Sequence, residues 1–587
     1  MTFRKKAVLH FAVLLVSFSL QAHVHNSQQL LPDGHWIYDA LYMLNADCGR
    51  VSLGDAAPLS VAELKMYFDD IPYEKLSEAG KTLYGRVWDF FTEKKFSIDL
   101  GPVNVGFNVV AEPQLMYKSN KAIDWSFGTD YTGKLAPDGK DYYANSSFLG
   151  SGASNPFLSL PLSLSFGDFI IIETTPFFGK SFQGMVKQSN FTNMPYNFND
   201  VEFLWPRTAY ASVGKSFNKW GVNVHIAHEG MRIGKTQTGS IIYNSTFETD
   251  AYVQFNVYSP YVKYNLDIVQ IARNRFMYIH NLDVIPYFKW IKLRILEGTL
   301  VNAPFELRFL NPLMIMHSFG AWNDYTTPEE STYYDEAHVC AYLGASFDIT
   351  PCKYLRLYGL YAQNEIQSKH ELKSAIGRAM PDSFGVQTGA EFTFPDKHNG
   401  WWLCTLEGVY TSPFCYIKHG AEWSLYSERQ DMQGNSNPVC SWIGTPFGPD
   451  CIGAQLRVGY RRMQKWSCSM EYLFVAHGTN SFGLFQNTVT IDGKEYYSYY
   501  PAVRRRLPSG TAAALTDDEA AALARSLRLT GVVQYTNCIT LKGTYMINDH
   551  FAFAAQLSYM FIFNNKNTLG VFAHGVELST SFTYTLL

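Results

Sequence analysis

The spacing of apolar residues divides the chain into two parts with different periods. Up to about residue 100, apolar residues recur at helical spacing, as Ile37, Leu41 and Leu44 do. From about Gly101 apolar and polar residues alternate, most clearly at the end of the chain between Val576 and Leu586. A period near 3.6 predicts amphipathic helices, and a period of two predicts strands with one apolar face. The sequence therefore predicts a small helical region followed by a long all-β domain.

The helical region, residues 23–100, is expected to form a bundle of three short helices. Ser60-Val-Ala-Glu63 has the form of a capping box and predicts that the second helix starts there. A third helix is predicted from about Leu76 to Lys94, with Leu83, Val87 and Phe90 on its buried side.

The first residues predict export from the cytoplasm. Arg4, Lys5 and Lys6 precede an almost wholly apolar run that ends at Leu20, and Ala22 offers a small residue for cleavage. This is the pattern of a secretory signal peptide, predicted here for residues 1–22. We accordingly expect residues 23–100 to be a periplasmic helical domain and residues 101–587 to be an outer-membrane β-barrel.

The lengths of the connections indicate the kind of β-domain. Strands are predicted to begin near residues 102, 159, 169, 208, 221, 251, 261, 286, 303, 340, 354, 385, 401, 453, 466, 531, 551 and 571. Short turns such as 396–400 and 548–550 alternate with long loops such as 412–452 and 477–530. Outer-membrane barrels have short periplasmic turns and long extracellular loops. A sheet can span hydrocarbon only when it closes and leaves no edge. The pattern predicts a closed transmembrane barrel of 18 antiparallel strands with both chain ends in the periplasm.

The amino-acid composition supports a membrane β-barrel and limits the kinds of partner that we expect. The chain contains 38 Tyr, 42 Phe and 12 Trp, an aromatic share of 16%, and barrels use such residues as girdles at both membrane interfaces. After the signal peptide no apolar stretch of about 18 residues remains, which excludes a helical membrane protein. A net charge of −4 gives no indication of a nucleic-acid partner. The expected partners are outer-membrane lipid and the barrel insertion machinery, although the chain ends in Leu587 and not in an aromatic residue.

Two short motifs accompany this architecture. Gly230-Met-Arg232-Ile-Gly234 is followed by Gly239-Ser240-Ile-Ile, and Pro304-Phe-Glu306-Leu-Arg308 is followed by Asn311-Pro312. With the signal peptide, the helical domain and the 18 strands, they resemble the Wzi-type capsule-assembly family, with Ile233 and Lys235-Thr236 replacing that family's usual Trp and Gly-Pro. The resemblance implies a lectin-like outer-membrane protein, not an enzyme, which binds or organises surface polysaccharide.

The loop 477–530 contains a candidate polysaccharide-binding surface. Four tyrosines precede three consecutive arginines: Tyr496, Tyr497, Tyr499, Tyr500, Arg504, Arg505 and Arg506. Aromatic rings stack on sugar faces, and guanidinium groups pair with the carboxylates of acidic polysaccharides. The alternative is a loop folded over the barrel mouth, with the tyrosines packed and the arginines at lipid phosphates.

Strand parity predicts a set of charged residues inside the barrel: Arg294, Glu306, Arg308, Glu391, Glu407, Arg457, Arg461, Glu471 and Glu577. Arg232, with His225, His228 and Glu229, is expected near the outer rim of the lumen. A lining of both signs suits a polar channel, and it suits equally an internal network of salt bridges in a filled barrel. A porin or substrate-specific channel is therefore the alternative function, and the N-terminal bundle argues against open diffusion.

The remaining chemistry is sparse. Nine cysteines show no zinc spacing, and Cys440 and Cys451 are close enough in sequence to bridge or to stay free. His225 and His228 are not at metal-ligand spacing for a strand, so no metal and no cofactor is predicted. His477 and Ser481 are neither in the order nor at the spacing of an outer-membrane phospholipase, and there is no Gly-x-Ser-x-Gly elbow.

Overall fold

The structure is a computed structural model. It describes residues 20–120, 122–123, 155–180, 190–195, 201–206, 208–245, 249–272, 274–301, 305, 307–311, 339–366, 382–417, 424–430, 438–480, 488–491, 494–497 and 525–586. Of the predicted signal peptide, residues 1–19 lie outside the described part, so its cleavage stays a prediction.

Three helices follow one another in the N-terminal region: α1, Trp36–Asp47; α2, Val61–Asp69; and α3, Glu78–Thr92. Ser60 Oγ accepts a hydrogen bond from the Glu63 amide at 3.2 Å, as the capping motif predicts. Leu64 and Val87 are completely buried in the shared core, and Phe91 lies deeper in that core than the expected Phe90. A strand, Lys94–Asp99, follows α3 and pairs with Leu20–Val24.

Eighteen long strands build the barrel in the described part of the chain, and four of them are made of shorter segments. They are β1 (Val103–Phe107, Val110–Ala111, Gln114–Lys118), β2 (Leu158–Ser159, Leu162–Phe166), β3 (Ile170–Thr174, Phe177–Lys180), β4 (Val201–Leu204, Ala209–Ser216), β5 (Gly221–Glu229), β6 (Asp250–Tyr258), β7 (Val262–Ala272), β8 (Arg275–Val284), β9 (Ile291–Val301), β10 (Val339–Cys352), β11 (Leu355–Glu365), β12 (Ser383–Pro395), β13 (Trp401–Thr411), β14 (Cys451–Arg462), β15 (Trp466–His477), β16 (Gln534–Met546), β17 (Phe551–Phe563) and β18 (Phe572–Thr585).

Each strand pairs antiparallel with the next one in the chain, and the last returns to the first. In β18, Leu578 lies opposite Tyr117 and Tyr584 lies opposite Ala111, both in β1. The other edge of β1 pairs with β2. The sheet thus closes on itself, which satisfies the backbone groups that an open edge would leave unpaired.

Strand parity separates the two faces of the barrel wall. In β18, Leu578 and Phe582 keep 42% and 38% of their surface exposed, whereas Glu577 and Ser581 keep 0% and 4%. Apolar residues therefore face outward, where lipid would cover them, and polar residues face the lumen. This is the alternation that the sequence predicts for a barrel strand.

One predicted strand is wrong and one is missing from the prediction. The segment expected to form a strand from about residue 303 contains a 3-10 helix, Leu307–Leu310. In its place β8 forms between residues 275 and 284, after a tight turn that has Asn274 at a φ of 57°. Met277 and Ile279 point inward in β8 but are apolar and completely buried, so the polar alternation is interrupted there and resumes at Asn281 and Asp283.

Aromatic side chains gather where the strands meet the short turns, an end we call the turn end. Phe217 stacks on Trp220 at 4.3 Å between ring centroids, and Tyr460 lies 5.1 Å from Trp402. Such a ring of aromatics is typical of the interface between lipid and water. Among the described residues no helix is long and apolar enough to cross a membrane.

Candidate functional site

The N-terminal region, residues 25–92, lies at the turn end of the barrel and reaches into its lumen. We call it the plug. Its helical core includes Ile285, Trp401 and Met463, which belong to short turns or their strand ends. Backbone hydrogen bonds tie the two parts together, from the Val51 amide to the Lys289 carbonyl at 3.0 Å and from the Tyr354 amide to the Ala46 carbonyl at 2.9 Å.

Asp55 is a buried carboxylate of the plug that contacts the barrel wall. It pairs with Lys292 and, at 2.8 Å, with Arg294, both on the inner face of β9. All three side chains are almost completely buried. Burial alone would raise the pKa of Asp55, but Arg294 and Lys292 outweigh burial and hold the pKa of this carboxyl well below its usual value. Asp55 is therefore a fixed anion on which two strand cations converge.

The ion pairs continue around the lumen as one chain, which we call the charge chain. From β8 to β14 it runs Asp283, Arg294, Asp55, Lys292, Asp348, Arg356, Glu391, Lys235, Asp39 and Arg461. Signs alternate at every step. Since a buried charge needs a partner of opposite sign, this order lets both plug and wall keep charges inside the barrel.

Asp39 on α1 is the second point at which the plug enters the charge chain. It pairs with Arg461 of β14 and lies 3.6 Å from Lys235. Burial acts to raise the pKa of Asp39, and the two cations outweigh it, so that the pKa is well below the usual value. Tyr42, one turn along α1, carries Lys235 over its ring at 3.8 Å. The plug thus contacts the wall through charge and aromatic faces together.

The segment 230–245, whose Arg232 was expected near the outer rim of the lumen, folds inward and joins the plug; we call it the inserted segment. Its strand Arg232–Ile233 pairs with Ala56–Ala57 of the plug and with Tyr243–Asn244. Arg232 pairs with Asp33 at 2.8 Å, so it belongs to this inserted segment and not to the barrel wall. Glu407 of β13 holds the same segment by accepting hydrogen bonds from the amides of Gln237 at 2.7 Å and Thr238 at 2.9 Å.

Apolar residues cover the inserted segment on the side of the long loops. Tyr416 and Tyr342 donate hydrogen bonds to the carbonyls of Ile241 and Ile242, both at 2.6 Å. Trp442 lies 6.2 Å from the Tyr416 ring in a stacked arrangement. All five residues are buried in one cluster. Part of the predicted loop 412–452 therefore lies inside the barrel, above the inserted segment.

A cavity of about 460 Å³ remains to one side of the plug. Its boundaries are α1, the inserted segment and the inner faces of β14 to β17. On the wall side Glu471 lies 3.4 Å from Arg457 and 3.0 Å from Lys542. Gln455 and Thr540 contribute uncharged polar groups beside them. This space is the candidate site in the lumen.

The structure places most of the predicted lumen residues on the inner face. Arg294, Glu391, Glu407, Arg457, Arg461 and Glu471 lie there as strand parity predicts, and Glu577 pairs with Lys118 at 3.3 Å across the closing seam. Glu306 lies outside the described residues, and Arg308 belongs to the 3-10 helix, so the described residues of this segment do not form the strand that was expected to point both side chains inward.

The predicted surface-loop site is mostly beyond the described part of the chain. Tyr499, Tyr500, Arg504, Arg505 and Arg506 lie outside the described residues. Tyr496 and Tyr497 belong to a strand, Lys494–Tyr497, which pairs with Thr488–Ile491. Polysaccharide binding by this loop remains a prediction.

The other candidate residues have structural partners. Cys451 is a free, buried thiol that accepts a hydrogen bond from Thr411 Oγ1 at 3.3 Å, so it does not form the disulfide considered with Cys440. His225 contacts Asn223 at 2.7 Å, and His228 contacts Thr249 at 2.8 Å. Among the described residues, no group of three or more His, Cys, Asp or Glu could hold a metal ion.

Sequence reasoning missed the plug half of the site: Asp33, Asp39, Asp55 and Glu63. Their partners lie far along the chain, as for Asp55 and Arg294, 239 residues apart. No local pattern reports such a pairing. Lys292 could have been predicted to face the lumen, because it lies two positions before Arg294 on the same strand and so points to the same face.

Of three comparisons with known proteins, the one with solved structures finds matches. No protein-family model matches the chain. A search of curated proteins finds no match either. The solved structure of Wzi, an outer-membrane protein involved in group 1 capsule assembly in Escherichia coli and a carbohydrate-binding β-barrel, matches with a TM-score of 0.53 and 9% identity over 94% of this chain and 98% of that chain.

Two structures from Pseudomonas aeruginosa also match, with lower scores. OccK5 has a TM-score of 0.37 and 7% identity over 82% of this chain and 98% of its own. OprD has a TM-score of 0.34 and 8% identity over 82% of this chain and 96% of its own. The likeness to Wzi extends over nearly the whole of both chains, and at 9% identity it concerns the fold alone.

Proposed function

We propose that this protein is a non-enzymatic outer-membrane β-barrel that binds or organises surface polysaccharide and does not serve as an open diffusion pore. The observation that carries the proposal is the filled lumen. The plug reaches into the lumen from the turn end, the inserted segment folds into the lumen beside it, and the charge chain holds both of them there. Because breaking a buried ion pair leaves a charge without a partner, such a filling resists displacement.

A barrel filled in this way has its outer loops as its accessible binding surface. The tyrosines and arginines of loop 477–530 have the chemistry for acidic polysaccharide. Outer-membrane barrels have their short turns in the periplasm. We therefore place the turn end of this barrel in the periplasm, together with the plug and both chain ends. Outer-membrane lipid covers the apolar outer face, and the insertion machinery delivers the chain there.

The resemblance to the Wzi-type family and the fold shared with Wzi support this role. A substrate-specific channel is the second candidate, and the 460 Å³ cavity beside the plug is the observation that favours it. The two roles separate experimentally, since a polysaccharide binder needs its loops and a channel needs a continuous path.

The test measures binding of the purified protein to an acidic capsular polysaccharide at several salt concentrations. Replacing Arg504, Arg505 and Arg506 together with Ala should flatten the salt dependence, because the Debye length falls to about 8 Å at physiological ionic strength. Replacing Tyr497 and Tyr499 with Ala should weaken binding at every salt concentration. Unchanged binding in both variants contradicts the proposed role of this loop.

A further inference from the structure

The wall of the lumen cavity carries more positive than negative charge. Glu471 is the shared partner of Arg457 and Lys542, at 3.4 and 3.0 Å. The Glu471 side chain is 9% exposed, whereas Arg457 and Lys542 keep 26% and 32% of their side-chain surface open. One nearly covered carboxylate therefore balances two cations that are still accessible from the cavity.

The plug side does not supply the missing negative charge. Asp39 is already shared between Arg461 and Lys235, and Asp33 is paired with Arg232. Every carboxylate that borders the cavity thus has at least one cation of its own. Charges interact more strongly in the barrel interior than in water, so a surplus cation there favours an anionic ligand.

The rest of the cavity surface is suited to hydroxyl groups. Thr236, Gln237, Asn244, Gln455 and Thr540 border it with hydroxyl and amide groups. Gln237 Oε1 accepts a hydrogen bond from Arg457 at 3.0 Å, whereas Thr236 Oγ1 and Gln455 Oε1 are buried without a hydrogen-bond partner among the described residues. Its volume of about 460 Å³ falls within the range of roughly 300–1,000 Å³ that is typical of small-molecule sites. The site therefore combines an anion-binding wall with neutral hydrogen-bonding groups.

We propose that this cavity binds a small carboxylated sugar, with its carboxylate at Arg457 and Lys542 and its hydroxyl groups at the neighbouring polar side chains. Guanidinium and ammonium groups form charge-assisted hydrogen bonds with carboxylate, which are stronger than neutral ones. The residues proposed to hold the ligand lie on the inner wall and the inserted segment, and none of them belongs to loop 477–530. It therefore stands even if that loop binds no polysaccharide.

The experiment is calorimetric titration of the full-length, detergent-solubilised protein with D-glucuronate and, as a neutral comparison, D-glucose. The intact protein should bind glucuronate and show no heat of binding with glucose. Replacing Arg457 and Lys542 together with Gln should weaken glucuronate binding by about ten- to a hundredfold. The matched control is Lys397→Gln, which removes one cation from an exposed turn and should leave the affinity unchanged.

A second variant is expected to change the affinity in the opposite direction, a result that misfolding cannot produce. Glu471→Gln removes the carboxylate that competes for both cations, so it should tighten glucuronate binding. If the double variant does not fold, Lys542→Gln alone replaces it, with weaker binding expected. Absence of glucuronate binding in the intact protein overturns the proposal. Weaker binding in Glu471→Gln, or loss of glucuronate binding in the Arg504, Arg505 and Arg506 triple variant, overturns it as well.

Discussion

The plug has two interfaces built on different physical principles. Inside its helical bundle, Leu44, Leu64 and Val87 are completely buried and make an apolar core. Against the barrel wall it presents carboxylates, Asp55 to Lys292 and Arg294. Apolar packing depends on volume and area and tolerates modest change. A buried ion pair depends on both partners, and removal of one leaves the other uncompensated.

The protein thus folds the plug with one set of residues and positions it in the barrel with another. The core can form from nearby sequence, because its three helices lie within 57 residues of one another, from Trp36 to Thr92. Docking needs strands 200 or more residues away, as Glu63 and Lys263 show with a separation of 200 and a distance of 2.8 Å. Charge makes this second step specific, since an apolar plug surface would adhere without a defined register.

The largest effect is expected where the wall interface is broken at its centre. Asp55→Asn removes the anion between Lys292 and Arg294, and we expect a loss of about 3–5 kcal/mol in the free energy of unfolding. Urea titration, followed by the shift in gel migration between unboiled and boiled samples, measures it. A loss below about 1 kcal/mol would mean that the wall interface is not held by charge.

The next largest effect compares the two faces of β14. Leu456 is exposed on the outer face, and its neighbour Gln455 borders the lumen cavity. Leu456→Arg should cost about 2–4 kcal/mol, because it places a cation near the middle of the lipid layer. Gln455→Arg meets a polar surface and should cost far less. Equal losses in refolding assays of the two variants would contradict the assignment of the faces.

A smaller effect is expected from pH. The pKa of Asp55 is lowered by its two cations. Its contribution to stability is therefore complete above the unfolded value of about 3.9 and is lost as the pH falls through the lower, folded value. The part of the stability that Asp55 supplies should stay level from about pH 8 to pH 5 and decline only below about pH 4. Asp55→Asn should remove part of this acid-side decline, and an identical decline in both proteins would assign it to other groups.

The smallest effect is expected at the outer surface of the plug. Lys65 and Asp69 pair at 2.6 Å on α2, with side chains 41% and 48% exposed. Solvent screens such a pair, so Asp69→Asn should change the unfolding free energy by about 0–1 kcal/mol. Measured by the same urea titration, Asp69→Asn is the matched control for Asp55→Asn. Losses of similar size in both variants would show that burial does not separate the two pairs.

The fold could be predicted from the sequence where a single local pattern shows both the type of secondary structure and which side chains are buried. Alternation along β18 places Glu577 inside and Leu578 outside, and the Ser60 motif marks the start of α2. The rule failed at β8, because Met277 and Ile279 face an apolar part of the lumen and cancel the alternation. It also failed at segment 230–245, since a loop that folds inward has the same composition as one that folds outward.

Of the site in the lumen, the residues of the barrel wall could be predicted from the sequence and those of the plug could not. Parity places Arg294, Arg457 and Glu471 in the lumen, but it does not say whether water, a ligand or protein faces them. In the structure the plug faces part of this wall, through Asp39 and Asp55. Both residues belong to the N-terminal region, whose apolar residues have helical spacing. Their pairing depends on the depth to which the plug enters, a property of the assembled barrel that no local pattern contains.

Because the plug and the inserted segment fill the lumen, the intact barrel should not conduct ions freely. Single-channel recording of the intact, refolded protein in a planar lipid bilayer measures this. We expect no steady open state at moderate voltage, and brief openings in Asp55→Asn, whose plug is less firmly held. A stable, ohmic conductance of the intact protein, as large as that of a diffusion porin, would contradict the account.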